Sequence, residues 1–313
     1  EGGSGSRPDP DRVTSRNRNL VDGKPAALPA VKSGGDEGGE GEGTEFAWGP
    51  TRGPKEDSKD WKAAEWAVAQ LAKPSAKPFF LALGISKPHL PWYVPQEYFD
   101  RHPLESIQLP EARLNDLDDI VAPNGRSKFS PSSDFKWASQ DPRLMKGAVR
   151  AYLAATSYAD DCVGHVLEAL EKSPARDNTI VVIWGDHGWH LGDLGIWTKH
   201  TNFEQANRIP LVVIAPGVTR PGTSTGQLAE TVDLYPTLAE LAGLPKPTGP
   251  LPVDGTSLVP VLKNPAARVR DHAYHCFPRG DLGRAIRTER YRLVEWKKPG
   301  APADTAQIEL YDY

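Results

Sequence analysis

The chain has 313 residues, 38% of them hydrophobic and 25% charged, which is ordinary for a globular protein with a sizeable core. Its 37 basic and 41 acidic side chains give a net charge of −4, which argues against nucleic acid as a partner. The two cysteines, Cys162 and Cys276, can form neither a disulfide framework nor a four-cysteine zinc site.

No run approaches the ~20 apolar residues of a membrane span, and no basic-then-apolar leader opens the chain. The first residue is Glu1 and the only methionine is Met145, so we expect an internal fragment of a longer protein. A signal peptide cannot be read from it, and the residues by themselves leave the compartment open.

The N-terminal third predicts a linker, a helix and a strand. Residues 1–57 carry glycine and charge without apolar periodicity, which predicts a flexible loop or linker. A short amphipathic helix follows, with Asp60 as its expected N-cap and an end before Pro74. Its apolar face is formed by Trp61, Ala64, Val68 and Leu71. The continuous apolar run at 78–85 predicts a strand covered on both faces, and hence a parallel sheet.

The middle of the chain predicts an irregular excursion and then a long helix. Residues 91–140 are rich in Pro, Asn, Ser and Asp, which is typical of binding surface, and Trp92 and Tyr93 are candidates for sugar contact. Asp141 and Pro142 begin a helix of about thirty residues. Its predicted buried face comprises Tyr152, Ala155, Ala159, Cys162, Val166 and Leu170.

Two further buried strands are predicted at 179–184 and 210–215, with a helix at 229–243. This order indicates an α/β fold, with a mostly parallel sheet flanked by helices. The alternation at 285–288 and 291–296 predicts a hairpin in a small antiparallel subdomain.

Polar residues that directly follow buried strands are the candidate site, because ligands collect at the carboxyl ends of parallel strands. Lys87 and His89 follow the first strand in a turn with two prolines, and suit an anion site with a proton donor. Asp186 and His187 follow the second strand, where a carboxylate and an imidazole suit calcium or magnesium.

A second lysine lies downstream of the Asp-His pair. Lys199 and His200 follow it within a short stretch, and together with Lys87 they form the predicted cradle for a tetrahedral anion. Taken one at a time, Lys199 would be a solvated side chain, and His190 and His200 would be packed loop residues. Their occurrence together with Lys87 favours an anion-binding site.

These motifs resemble the sulfatase family of the alkaline-phosphatase-like superfamily, most closely its iduronate-2-sulfatase-like branch. The resemblance runs from about Trp61 to the end of the chain. Its most specific carriers are GDHGWHLG at 185–192 and WTKHT at 197–201. Further carriers are KPFFLALG at 77–84, KPHLP at 87–91, and segments at 157–164, 177–180, 208–211 and 232–238.

The resemblance implies an alkaline-phosphatase-like fold and hydrolysis of a sulfate ester, with sulfated carbohydrate as the favoured substrate. It implies one calcium ion, with Asp186 and His187 as ligands, and a formylglycine nucleophile made from Cys or Ser. Lys87 and Lys199 are the implied sulfate contacts, with His200 also at the substrate, and His89 is the implied proton donor to the leaving group. A secreted, periplasmic or lysosomal compartment is implied as well.

Two departures from the family pattern stand out. The nucleophile motif Cys-or-Ser-x-Pro-x-Arg and the Asp-Asp pair that precedes it are absent from this sequence. We therefore expect the N-terminal half of the catalytic domain to lie outside this chain and to be its partner in the complete enzyme. Cys276 precedes Phe-Pro-Arg, which we interpret as a coincidence. Asp193 and Leu194 stand where relatives often carry Glu-His, so no substrate contact is assigned at Leu194.

The expected domains are the linker at 1–57, the C-terminal part of the catalytic domain at 58–250, and a truncated antiparallel subdomain at 251–313. We expect this fragment alone to be inactive. Two other functions stay open at this point: hydrolysis of phosphate mono- or diesters on the same fold, and non-catalytic binding of sulfated glycans.

Overall fold

A computed structural model describes residues 20–21, 24–25, 46–51, 53–113, 115–121, 128–246, 248–279 and 281–313. The chain divides into two compact units. The first comprises residues 1–116, 130–176 and 191–197, and the second comprises 117–129, 177–190 and 198–313. Within the described part of the chain, no helix combines the length and the apolar composition that crossing a bilayer requires.

In the first unit, the residues that the structure describes form four short strands and four α-helices. The strands are β1 (Leu20–Val21), β2 (Lys24–Pro25), β3 (Trp48–Thr51) and β4 (Trp92–Pro95). The helices are α1 (Lys59–Leu71), α2 (Gln96–Asp100), α3 (Ser133–Ala138) and α4 (Pro142–Glu171). Strands β1 and β2 pair antiparallel, and β3 and β4 pair parallel.

Helix α4 is confirmed as the long helix that the sequence predicts. The Asp141 side chain caps it by accepting from the backbone N–H of Arg143, and Pro142 occupies the first turn. Its buried positions lie mainly in the N-terminal two thirds, and Cys162 is the last of them. Helix α1 packs against α4.

The expected N-cap of α1 is wrong by two residues. Ser58 is the cap, since its hydroxyl accepts from the Trp61 backbone N–H, and Asp60 lies in the first helical turn. Both residues carry a capping oxygen, so local sequence cannot choose between them. The buried Asp60 carboxylate instead accepts hydrogen bonds from Ser86 and Lys87.

An aromatic cluster forms the core of the first unit. The ring of Phe46 lies between 5.5 and 6.0 Å from four tryptophan rings. These belong to Trp48, Trp92, Trp137 and Trp197. Most of the linker predicted at 1–57 lies outside the described residues, but its last part contributes Phe46 and β3 to this core.

The prediction of a strand at 78–85 is wrong for the described structure. Residues 78–85 form no strand there, and the Phe80 side chain is 85% exposed. The apolar run has the composition of a buried strand, but a strand also needs a hydrogen-bonded neighbour, and none is found among the described residues.

Over its described ranges, the second unit contains six strands and three α-helices. The strands are β5 (Val181–Trp184), β6 (Leu211–Ile214), β7 (Ala273–Arg279), β8 (Asp281–Arg287), β9 (Tyr291–Lys297) and β10 (Gln307–Asp312). The helices are α5 (Glu204–Asn207), α6 (Leu234–Leu241) and α7 (Val259–Lys263).

Strands β5 and β6 confirm the apolar runs predicted at 179–184 and 210–215, although the pairing differs. They pair antiparallel, with Val181 opposite Ile214, where the order of elements predicted parallel strands. The connection between them contains a three-residue 3-10 turn at Asp193–Gly195 and the four-residue helix α5, and so lacks the packed crossover helix that usually joins parallel neighbours.

The predicted C-terminal antiparallel region is a four-stranded sheet in the order β10-β9-β8-β7. The predicted hairpin is confirmed as β8 and β9, in which Ile286 pairs with Leu293. Alternate residues of β9 are buried, namely Arg292, Val294 and Trp296.

Candidate active site

The turn that carries Lys87 and His89 belongs to the first unit. The His89 backbone N–H donates to the Ser86 carbonyl at 2.9 Å, which closes the turn. The Lys87 ammonium donates to the Pro91 carbonyl at 2.6 Å. The imidazole Nδ1 of His89 lies 2.8 Å from the Leu90 carbonyl. Because a carbonyl only accepts, Nδ1 carries the proton in this contact.

Trp92 supports this turn and does not form the sugar contact for which the sequence made it a candidate. It is fully buried in the aromatic core, and its indole Nε1 donates to the Pro88 carbonyl at 2.7 Å. A Trp buried with its N–H satisfied is a structural anchor. Tyr93 is half-buried and lines a cavity of about 220 Å³ together with Lys87.

Asp186 and His187 belong to the second unit and lie directly after β5, as the sequence predicts. The Asp186 side chain is 86% exposed, and its Oδ2 lies 3.5 Å from the His187 Nε2. The His187 Nδ1 lies 2.8 Å from the Gly188 carbonyl, so Nδ1 carries the proton there. One carboxylate oxygen and one imidazole lone pair are therefore side by side.

Gly188 allows the loop after His187 to lie directly against α5. A Cβ at this position would come within 2.0 Å of the Gln205 carbonyl oxygen, and the Gly188 N–H donates to Ala206. The buried His190 ring contacts the Thr201 hydroxyl at 2.8 Å, and its backbone N–H donates to Thr198. These contacts fasten the Asp186 loop to the Lys199 loop within the second unit.

Lys199 and His200 lie on the loop fastened in this way. The Lys199 ammonium is 5.6 Å from the ring centroid of Trp189, and the Trp189 ring is 6.4 Å from that of His187. The second unit thus brings Lys199 and the Asp-His pair together around one tryptophan. The His200 imidazole contacts the Thr198 hydroxyl at 2.8 Å and packs on Phe277.

The donor chemistry at Asp186 and His187 fits part of a cation site. Calcium prefers carboxylate oxygens in a shell of about six to eight ligands, which two side chains cannot complete. Among the residues that the structure describes, no group of three or more His, Cys, Asp or Glu side chains suits a metal ion.

Neither cysteine lies in a nucleophile motif. Cys162 is buried on α4, where burial raises the pKa of its thiol to about 11, so it is protonated at neutral pH. Cys276 is exposed in the middle of β7, in a regular pair with Arg284. The segment Cys276-Phe277-Pro278-Arg279 is part of the strand β7, and its interpretation as a coincidence stays a prediction.

Sequence reasoning missed a buried ionic cluster beneath the Lys199 loop. Glu204 accepts from Arg287 and Arg292, and Arg292 also donates to the Asn202 carbonyl. Burial alone would raise the pKa of Glu204, but the two guanidinium groups hold it below its usual value. The sequence could have indicated that Arg292 is buried. It alternates along β9 with Val294 and Trp296, and alternate residues of a strand point to the same face of the sheet.

Comparison with known proteins identifies the family. The "Sulfatase" family model matches residues 32–244, and the model "N-sulphoglucosamine sulphohydrolase, C-terminal" matches 192–313. The first match covers more than half of the chain and includes both candidate loops. The chain belongs to the sulfatase family.

Individual relatives agree with this assignment. A sulfatase of Formosa agariphila is 35% identical in an alignment of 260 positions that covers 81% of this chain and 49% of that protein. The iduronate 2-sulfatase of Mus musculus is 36% identical in an alignment of 228 positions that covers 62% of this chain and 41% of that protein. This chain therefore spans about half the length of the curated relatives it matches.

A solved structure gives the fold. The phosphonate monoester hydrolase of Silicibacter pomeroyi superposes with a TM-score of 0.69 and 25% identity, covering 85% of this chain and 56% of that one. The architecture is the alkaline-phosphatase-like fold that the sequence resemblance predicts.

Proposed function

We propose that this chain is the C-terminal part of the catalytic domain of a sulfuric ester hydrolase that acts on sulfated carbohydrate. The observation that carries the proposal is the single family match at 32–244, because it includes both the Lys87–His89 turn and the Asp186–Lys199 loops. The names iduronate 2-sulfatase and N-sulphoglucosamine sulphohydrolase support a sugar substrate.

Asp186 and His187 are the proposed calcium ligands. Their exposed carboxylate and the Nε2 lone pair of His187 lie close enough to face one ion, and the contact with Gly188 fixes the required tautomer. When bound, calcium supplies charge stabilisation, and a formylglycine outside this chain supplies the nucleophile.

His89 is the proposed proton donor to the leaving alcohol. Nδ1 donates to the Leu90 carbonyl, so we assign the transferred proton to Nε2 of the doubly protonated imidazole. Lys199 and Lys87 are the proposed sulfate contacts, with His200 beside Lys199. The ammonium of Lys87 has three N–H donors, so its bond to Pro91 is compatible with a sulfate contact.

The proposed partner within the enzyme is the rest of the sulfatase fold, which the matched relatives have and this chain does not span. Large apolar side chains that are exposed in segments with the composition of a protein core support this proposed partner. They include Phe80, and Trp184 on β5 at 51% exposure. We propose that this chain alone is inactive. The secreted, periplasmic or lysosomal compartment implied by the resemblance stays a prediction.

A second candidate is hydrolysis of phosphate or phosphonate monoesters, which the similarity to the Silicibacter enzyme favours. The experiment that separates the two measures kcat/KM of the complete enzyme for sulfate and phosphate esters of one alcohol. Preference for the sulfate ester supports the proposal, and preference for the phosphate ester would replace it.

The proposed role of His89 is tested with sulfate esters of graded leaving-group pKa. His89→Ala should slow esters of basic alcohols more than esters of acidic phenols, because a departing alkoxide needs the proton most. The isolated chain is assayed in parallel with the complete enzyme. If the isolated chain hydrolyses the esters and Cys276→Ala abolishes that turnover, both the proposed inactivity of the chain and the interpretation of the Cys276 motif as a coincidence are wrong.

A further inference from the structure

Helix α1 holds the turn that carries His89 through one buried carboxylate. Asp60 Oδ1 accepts from the Ser86 backbone N–H at 3.0 Å and from the Ser86 hydroxyl at 2.7 Å. Asp60 Oδ2 accepts from the Lys87 backbone N–H at 2.9 Å. Every oxygen of the carboxylate is thus directed at the first two residues of the turn.

This contact differs in kind from an ordinary surface hydrogen bond. Asp60 is only 6% exposed, and a buried charge is costly unless several donors satisfy it. The three donors come from two consecutive residues, so the carboxylate fixes both the position and the direction of the chain as it enters the turn.

The rest of the turn is rigid enough to transmit that position to the imidazole. The His89 N–H bonds back to the Ser86 carbonyl, and the Trp92 indole bonds to the Pro88 carbonyl. The His89 Nδ1 is itself held by Leu90. A displacement at Ser86 therefore moves His89, because the two residues are joined by a direct hydrogen bond.

We propose that Asp60 is a positioning residue for His89, acting through Ser86 and Lys87. The inference rests on the proposed function, in which His89 serves the leaving group. Asp60 contacts no substrate in this proposal. Asp60 holds only the backbone N–H of Lys87, and the flexible side chain of Lys87 can readjust to keep its proposed sulfate contact. The effect of Asp60 on the reaction should therefore follow the dependence on His89.

The test compares Asp60→Asn with His89→Ala in the complete enzyme. An asparagine offers only one carbonyl oxygen, and its amide N–H₂ has to face a donor of the turn. Asp60→Asn should lower kcat by about tenfold or more for esters of basic alcohols and much less for esters of acidic phenols. The double variant should be no slower than His89→Ala alone, since both changes remove the same contribution.

Two further variants complete the design. Ser86→Ala removes one of the three donors and leaves the carboxylate in place, so it should produce a smaller change with the same leaving-group dependence. Asp57→Asn is the matched control, because Asp57 lines the same cavity of about 220 Å³ but is exposed. It should leave the leaving-group dependence unchanged.

The outcomes separate the inference from the function on which it rests. Equal slowing of all esters by Asp60→Asn, or additivity with His89→Ala, would overturn the positioning role. If His89→Ala itself slows all esters equally, the proposed role of His89 fails, and the role of Asp60 in catalysis fails with it. Amide hydrogen exchange of Ser86 and Lys87 is independent of activity. Unchanged protection in Asp60→Asn would overturn the anchor itself.

Discussion

The carboxylate of Glu204 accepts a hydrogen bond from Arg287 Nε at 2.6 Å, and this contact joins the loop after Lys199 to the C-terminal sheet. Arg292 donates to the same oxygen, and its side chain is only 2% exposed. The Glu204 side chain is 18% exposed, and two cations that share this one largely buried anion make it the critical member of the cluster.

Glu204→Gln should therefore destabilise the protein by about 3 to 5 kcal/mol, because it leaves two guanidinium groups without their counter-charge. Denaturant unfolding of the complete protein measures the change. The control is Glu295→Gln, whose carboxylate lies 3.3 Å from Arg284 and 3.6 Å from Lys297, with the Glu295 and Arg284 side chains each about 30% exposed. That change should cost no more than about 1 kcal/mol. Equal losses would show that the Glu204 cluster is not special.

His275 should make the stability fall on mild acidification. Burial, with a contribution from the charge of Arg292, lowers its pKa from 6.5 to about 4. Above 6.5 neither the folded nor the unfolded chain is protonated there. Between 6.5 and about 4 only the unfolded chain binds the proton, so the free energy of unfolding decreases by up to about 3 kcal/mol.

His275→Gln should flatten the pH dependence of unfolding in that window. His272→Gln is the matched control, because His272 is exposed and paired with Asp271. A pH profile of His275→Gln that matches the unmodified protein would contradict the assigned pKa.

Packing against the Lys199 loop gives a third prediction. A Cβ at Gly283 would lie 2.4 Å from the Asn202 amide nitrogen and 2.6 Å from the Trp296 ring. Gly283→Ala should cost about 1 to 3 kcal/mol through overpacking. Gly226→Ala, where no atom lies within 4 Å of the added Cβ, should change the unfolding free energy little. Thermal unfolding of both variants decides the point.

Some features of this fold could be predicted because their signals are local. Helix α4 is thirty residues long, with an Asp cap and a Pro in its first turn, and β9 alternates between buried and less buried positions. The candidate residues after β5 could also be found, because polar side chains at a strand end are a positional signal.

The features that could not be predicted depend on contacts distant in sequence. The run at 78–85 has strand composition, yet pairing depends on a neighbour that composition does not reveal. Trp92 lies in a Pro-rich segment typical of surface, and only the aromatic core explains its burial. Asp60 has the side chain of a cap, and its partners are Ser86 and Lys87, 26 and 27 residues away.

Asp186→Asn should weaken calcium binding and activity together. The substitution removes one negative charge from a hard-cation site, and we expect a loss in affinity of at least about tenfold. Calcium titration of the complete enzyme by calorimetry measures it. Asp254→Asn, at an exposed position, should leave the affinity unchanged. Equal calcium affinity of Asp186→Asn and the unmodified enzyme would remove Asp186 from the ligand set.

The charge of Lys199 should matter for both rate and selectivity. A sulfate ester carries one negative charge, whereas a phosphate monoester is mostly doubly charged at neutral pH. With Lys199 and Lys87 as the proposed cationic contacts, the complete enzyme should prefer the sulfate ester. The geometry of the ester oxygens is similar in the two substrates, so the preference comes largely from charge balance and the nucleophile.

Lys199→Met keeps a long apolar side chain against Trp189, which lies 5.6 Å from the ammonium, and removes the charge. We expect kcat/KM for sulfate esters to fall by about ten- to a thousandfold, the scale of one lost oxyanion contact. Lys263→Met, at an exposed position on α7, is the control and should be silent. Steady-state kinetics with one sulfate ester suffices. If Lys199→Met is as silent as Lys263→Met, Lys199 does not contact the sulfate, and the anion cradle proposed from the sequence is wrong.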